Sequence, residues 1–224
     1  MSEAIRTRRS IRGFKPEPVP VELIEGMLEL AHLAPSATNC QPWEFIVLAG
    51  EPLDKAKRVN IEQADLGAPI QPDFKALPPN MLPGSYEQRQ ASLAEGLFAT
   101  VGIERNDKAE RKKWQLRGKR FFDAPAAILI CLDEGIFNER HNISLVDVGI
   151  ITQTIALAAL EFGLGTCIQQ DTIFYPDAIR AALDIPASKK FIVSVAIGYP
   201  DRELPANSFR SEREPVSSLV TWKI

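Results

Sequence analysis

Three observations predict an α/β or α+β fold with a mixed sheet. Short buried-strand patterns alternate with helical ones, internal repeats are absent, and 224 residues at 45% hydrophobic and 25% charged suffice for one sizeable core. The first element follows a proline-rich approach. Leu23, Ile24, Met27, Leu28, Ala31 and Leu33 recur at helical spacing and predict a helix over 20–33. His32 falls inside that pattern and reads as a helix residue. Neither it nor His141 has metal-ligand spacing, so no metal site is expected.

Pro35 and Pro42 break the helix in APSATNCQP, and WEFIVLAG follows as a buried strand ending at Gly50. Residues 52–63 read as a charged helix. Between Gly67 and Gly84 stand Pro69, Pro72, Pro78, Pro79 and Pro83, a loop of the length that marks a lid, a binding loop or a disordered segment. Helical periodicity resumes over 86–102 and 106–121, the second carrying the basic run ERNDKAERKKWQLRGKR, read as a solvated face ahead of a role near the active site.

PAAILICLD is a second buried strand. ISLVDVGIITQTIALAALEFG is apolar nearly all round, which places a helix in a core or a subunit interface. Ser144 and Asp147 fit a capping box at its start, and Gly163 fits the left-handed position past its end. TCIQQ reads as a short strand, 175–183 as a helix and KFIVSVAIGYP as a long strand. The tail SSLVTWKI has strand character without an obvious partner in its own chain, so it is expected to add to a second subunit.

Composition excludes several classes of function. A formal charge of −3 and a pI near 5.6 give no reason to expect nucleic acid or an anionic membrane as partner. No apolar run is read as approaching the roughly 20 residues of a membrane span, and the N-terminus has no apolar signal core. Cys40, Cys131 and Cys167 are widely spaced and lack CxxC pairing, as expected of free thiols in a reducing cytoplasm. Without G-x-S-x-G and with two unpromising histidines, a Ser-His-Asp hydrolase is disfavoured. GLGT near 163 lacks the lysine of a P-loop and the third glycine of a dinucleotide fingerprint.

The chemistry lies instead in arginines. RTRRSIRGF, residues 6–14, holds Arg6, Arg8, Arg9 and Arg12 beside Ser10 in a net-acidic chain. A mobile basic arm is one reading. Arginine's planar fork also grips phosphate bidentately and stays charged when buried, which suits a phosphorylated cofactor. Arg8 and Arg12 share a side if the segment turns helically. APSATNCQPWEFIVL forms a stiff polar bend before a strand, suited to lying against a flat ligand or to being simply a turn. RSEREPV, residues 210–216, adds Arg210 and Arg213. The three segments are candidates to converge on one anionic ligand.

RRSIRGF, APSATNCQPWEFIVL, LVDVGIITQTIALAALEFGLGTCIQQ, FIVSVAIGYPD and EREPV, in that order, resemble the flavin-dependent nitroreductase family over nearly the whole chain. The resemblance implies an α+β three-layer sandwich, its mixed, mainly antiparallel sheet flanked by helices, with the C-terminal extension crossing to a partner. Residues 1–224 would be one FMN-binding domain with a variable lid or substrate region at about 64–120, where Glu87, Arg89 and Lys113 are available. It also implies an intertwined homodimer with active sites at the subunit interface, and NADH or NADPH as electron donor to nitroaromatic or quinone-type acceptors. On that match Arg8, Arg9, Ser10 and Arg12 hold the FMN phosphate, ribityl chain and ring edge. Pro35, Ser36, Ala37, Asn39 and Gln41 meet the flavin from the other subunit, Gln169 and Gln170 lie along its ring, and Arg213 binds phosphate. IQQD departs from the glycine-rich or Glu-Gly stretch of many members of that family. An FMN-dependent reductive dehalogenase and a flavin-binding protein with little turnover are the alternatives. The chain offers no evident acid–base residue, as befits chemistry performed by a cofactor.

Overall fold

The computed structural model describes residues 1–75, 81–137 and 142–224. Pro78 and Pro79 of the proline-rich stretch and His141 lie outside the described residues. The helices are α1 (Ser2–Thr7), α2 (Val21–Ala31), α3 (Gly50–Asp65), α4 (Ser85–Thr100), α5 (Lys108–Lys119), α6 (Ile143–Glu161) and α7 (Pro176–Leu183), and the strands are β1 (Trp43–Ala49), β2 (Ala126–Asp133), β3 (Gly165–Gln169) and β4 (Lys189–Gly198). Each predicted helix and internal strand is present near its expected bounds.

The sheet runs β1-β2-β4-β3, and every strand pair in it is antiparallel. β2 is central and buried on both faces, which explains its unbroken apolar run. Ile192 forms a bulge where the β2–β4 register shifts. The parallel element of the expected mixed sheet is a single bridge, Ser10 to Thr166 on the β3 edge. One face of the sheet packs on α2 and α6 through Met27, Ile130, Ile151 and Ile155. The other packs on α3 and α7 through Leu53, Ala56, Ile179 and Phe191. The fold is therefore α+β in three layers: helices, sheet, helices.

α6 ends as its sequence requires. Gly163 has φ +69°, the Gly163 amide donates to Leu160 and the Leu164 amide to Ala159, the paired bonds of a Schellman motif. Two expectations about this helix are corrected. Ser144 and Asp147 form no capping box: the helix start has no side-chain cap, and Asp147 Oδ1 accepts the Ala37 amide at 3.0 Å instead. At 19 residues α6 is also long and apolar enough to cross a membrane by length and composition; here Ile151 and Ile155 are fully buried against the sheet. Its opposite face leaves Ile143 and Val146 more than half exposed.

The described part of the proline-rich stretch is pinned. The Gln71 amide donates to the Phe174 carbonyl, and Asp73 accepts two hydrogen bonds from Arg180 (2.7 and 3.1 Å) and one from the Phe191 amide. Among the described residues the tail pairs with no strand of its own chain. After a turn at Val216–Ser218 it stays exposed through Ile224.

Candidate cofactor site

α1 stops at Thr7, and Arg8 is already extended, with φ −55° and ψ 131°. The arginines therefore do not share a helical face, as the four-residue spacing suggested. The segment lies instead along the sheet. The Ile11 amide donates to the Thr166 carbonyl, and Phe14 bridges Pro200. Gly165 permits this approach, since a Cβ there would stand 2.6 Å from Ile11 and 2.7 Å from Pro200. Alternation along extended chain puts Arg8, Ser10 and Arg12 on one side. Cys167 lies near them: burial pushes its thiol up to about 12, against the pull of the Arg12 and Arg8 guanidinium groups toward the thiolate. Cys167 is thus packing material and no nucleophile.

Arg8, Arg9, Ser10 and Arg12 are half-buried, while Arg6 is exposed. Among the described residues no carboxylate pairs with Arg8, Arg9 or Arg12, although the structure pairs many of its other cations. Partly desolvated guanidinium groups without an internal partner are what an anionic ligand needs.

Gln169 behaves differently from Gln170. Its side chain turns inward, donating to the Gly118 carbonyl at 3.1 Å and to Asp171 at 3.0 Å. Its carbonyl accepts from Ser194. Any contact of Gln169 with a ring is thereby left to its backbone edge. Gln170 is half-buried at the start of the turn Asp171–Ile173. Behind it Lys119 lies over the rings of Phe174 and Tyr175, 4.9 Å from each. Burial pushes the Lys119 ammonium down against the attraction of Asp171, and pushes the Asp171 carboxyl up against Lys119. The sequence reading placed Lys119 in a solvated face and missed this cluster. The rings of Phe174 and Tyr175, far off in sequence, gave no local signal.

The 35–41 loop is built as a rigid bend. Thr38, Asn39 and Gln41 have φ of 51°, 59° and 48°, a left-handed region that costs roughly 1–2 kcal/mol for most residues. The Ser36 hydroxyl accepts the Gln41 amide at 2.9 Å and Asp147 holds Ala37. Pro35 and Asn39 are exposed, and Ser36, Ala37 and Gln41 half-buried. No described hydrogen bond joins this loop to Arg8–Arg12 or to Gln169–Gln170 within the chain.

The C-terminal arginines are joined to the first motif indirectly. Arg213 is exposed and bonds Ser211 and the Glu212 carbonyl, and Arg210 bonds carbonyls of 207–209. Asn207, in the turn Pro205–Asn207, ties this segment to Arg12 and Gly13. Beside that turn opens a cleft of about 520 Å³, with Trp114, Leu116, Arg117 and Arg120 facing Leu204 and Pro205. Asp123 accepts from both Arg117 (3.2 Å) and Arg120 (2.9 Å). Phe121, Phe122 and Asp123 all have left-handed φ, of 59°, 51° and 60°. Complete burial of Phe121 and the tilted ring contact of Phe122 with Trp114 offset that strain. The cleft thus combines flat apolar walls with one excess positive charge.

A model of the Nitroreductase family matches residues 5–199. The chain belongs to the nitroreductase family. It is 32% identical to a 4-nitrobenzoate reductase of Nocardioides sp. (strain LMS-CY), over 97% of this chain and 87% of that protein. The crystal structure of the FMN and NADPH-dependent nitroreductase NfnB from sphigopyxis sp. strain HMH superposes with a TM-score of 0.92 at 30% identity, covering 99% of this chain and 98% of the other. That of the FMN-dependent NfnB from Mycobacterium smegmatis in complex with NADPH gives 0.90 at 28% identity, with 100% and 97% covered. The similarity runs through the α4–α5 region as well as the motif blocks.

Proposed function

We propose that the protein is an FMN-dependent NAD(P)H oxidoreductase that reduces nitroaromatic or quinone-type acceptors. The observation that carries this is half-buried Arg8 and Arg12 on one side of an extended segment, with half-buried Arg9 between them, none with a described carboxylate partner, held against the β3 edge of a nitroreductase fold. FMN held there would supply the redox chemistry, hydride transfer from NAD(P)H followed by reduction of the acceptor.

The chain's own residues do the rest. Arg8, Arg9, Ser10 and Arg12 bind and orient the phosphate, ribityl chain and ring edge, with Arg213 closing on the phosphate. Gln169 and Gln170 offer backbone along the ring. Pro35, Ser36, Ala37, Asn39 and Gln41 reach the flavin of a partner subunit. Two features support this homodimer: the loop makes no described bond to the arginines of its own chain, and apolar side chains of α6 and the tail are exposed. We read 1–224 as one domain, about 64–120 as its variable substrate-facing part, and the compartment as the cytoplasm. The cleft between α5 and the Pro205 turn suits a flat aromatic acceptor, especially one bearing an anionic group.

The test is direct. Purified protein should be yellow or take up FMN, and should oxidise NADH or NADPH with parallel double-reciprocal lines against a nitroaromatic acceptor. A colourless protein that does not bind added FMN overturns the reading.

A further inference from the structure

Asn207 is a polar residue that its sequence context, LPANSF, does not single out. It is 4% exposed. Its Oδ1 accepts the Arg12 amide at 2.7 Å, and its Nδ2 donates to the Gly13 carbonyl at 2.7 Å and to the Asp201 carbonyl at 2.8 Å. Both amide hydrogens and the oxygen are thus used, a satisfied buried side chain. The Asp201 amide also donates to Gly13, and the Lys15 amide to Tyr199.

These bonds join two distant parts of the chain. On one side lies the arginine segment, whose other end is fixed to β3 through Thr166. On the other the chain leaves Asn207 for Arg210 and Arg213, and Arg210 reaches back toward the Asn207 carbonyl. Glu214, next to Arg213, pairs with Arg89 on α4 at 3.2 Å. Without the amide of Asn207, the part-buried Arg12 N–H would lose its partner, and the two arginine segments their common fixed point.

We propose that Asn207 is a positioning residue of the cofactor site, holding the Arg8–Arg12 segment and the Arg210–Arg213 segment in register so that together they grip a phosphate-bearing flavin. The inference rests on the FMN reading above. It asserts something further: selectivity for the phosphorylated flavin depends on a neutral amide that does not itself touch the ligand.

The experiment compares FMN with riboflavin, which lacks the phosphate, on the full-length wild-type protein and on Asn207→Ala and Asn207→Ser. Binding is followed by flavin fluorescence quenching, with melting of the flavin-free proteins in parallel. Wild type should prefer FMN. The variants should lose about tenfold or more in FMN affinity but much less for riboflavin, so that the preference collapses, and excess FMN should restore activity. A variant that binds both flavins as wild type does, or loses both equally, overturns the proposal. If neither variant folds, hydrogen exchange on wild type decides: FMN should protect amides of 11–14 and 207–213 together, and protection of only one segment, or neither, overturns it. Failure of wild type to bind either flavin would instead remove the FMN reading itself.

Discussion

Lys119 and Asp171 show at single-residue scale how burial outweighs attraction. Each is driven toward its neutral form by its surroundings, and each only partly held charged by the other. The pH dependence follows in sign. A carboxyl raised in the folded state binds its proton more tightly there than in the unfolded chain. Its contribution to stability is therefore largest below its ordinary value of 3.8 and is lost as pH rises through the raised folded value. Asp171→Asn retains an acceptor for Gln169 but cannot titrate. Urea midpoints measured from acid to neutral pH should fall less steeply for the variant than for wild type. The same reasoning puts the thiols aside: Cys131 and Cys167, both pushed up to about 12 by burial, should stay unreactive in the native protein. Arg8 is the contrasting residue, half-buried and free of a described carboxylate. Arg8→Ala should weaken FMN binding by about 1.5–3 kcal/mol, the cost of one charge-assisted contact, as read by fluorescence titration.

At the scale of elements, the segment after α3 is anchored by Asp73 against Arg180, whose side chains are 10% and 7% exposed. Arg180 also lies over Phe191. Asp73→Ala removes two charge-assisted hydrogen bonds but leaves Arg180 its bond to Asp177 at 2.7 Å, so it should cost about 1.5–3 kcal/mol in chemical denaturation. Replacing both partners with apolar residues should cost less. The elements themselves were readable from sequence because periodicity reports burial: β2 is unbroken apolar and buried on both faces, and Gly163 marks the end of α6. The failures have one physical cause. Asp147 has the spacing of a cap, yet its carboxylate serves Ala37, 110 positions away. Arg8 and Arg12 have helical spacing, yet lie extended because Thr166 supplies the hydrogen bond that ends the helix's hold. Asp73, Asn207 and Lys119 were silent for the same reason, since their partners are distant in sequence. The arginine motif was legible because its cations are close together; the residues that aim it were not.

For the whole molecule, α6 and the tail present the same problem from two ends. Ile143 and Val146 on the helix, and Val216, Leu219 and Trp222 beyond the last turn, are large apolar side chains left in water. A partner subunit covers such surfaces, and the proposed homodimer uses the tail to do so. Deleting residues 216–224 should shift the protein toward monomer in light scattering and weaken FMN retention, because the 35–41 loop would no longer face the arginines of a second chain. A truncated protein that remains a full dimer with bound FMN would exclude that role for the tail.

The disposition of sulfur has a practical use. Cys40 is exposed within the stiff 35–41 bend, while the other two cysteines are buried. Of the three cysteines this is the one open to a maleimide dye, added to the FMN-free protein before the proposed site is filled. Flavin is a good energy acceptor for blue-emitting dyes, so dimming of the label as FMN is titrated in would gauge how near the bend comes to the ring.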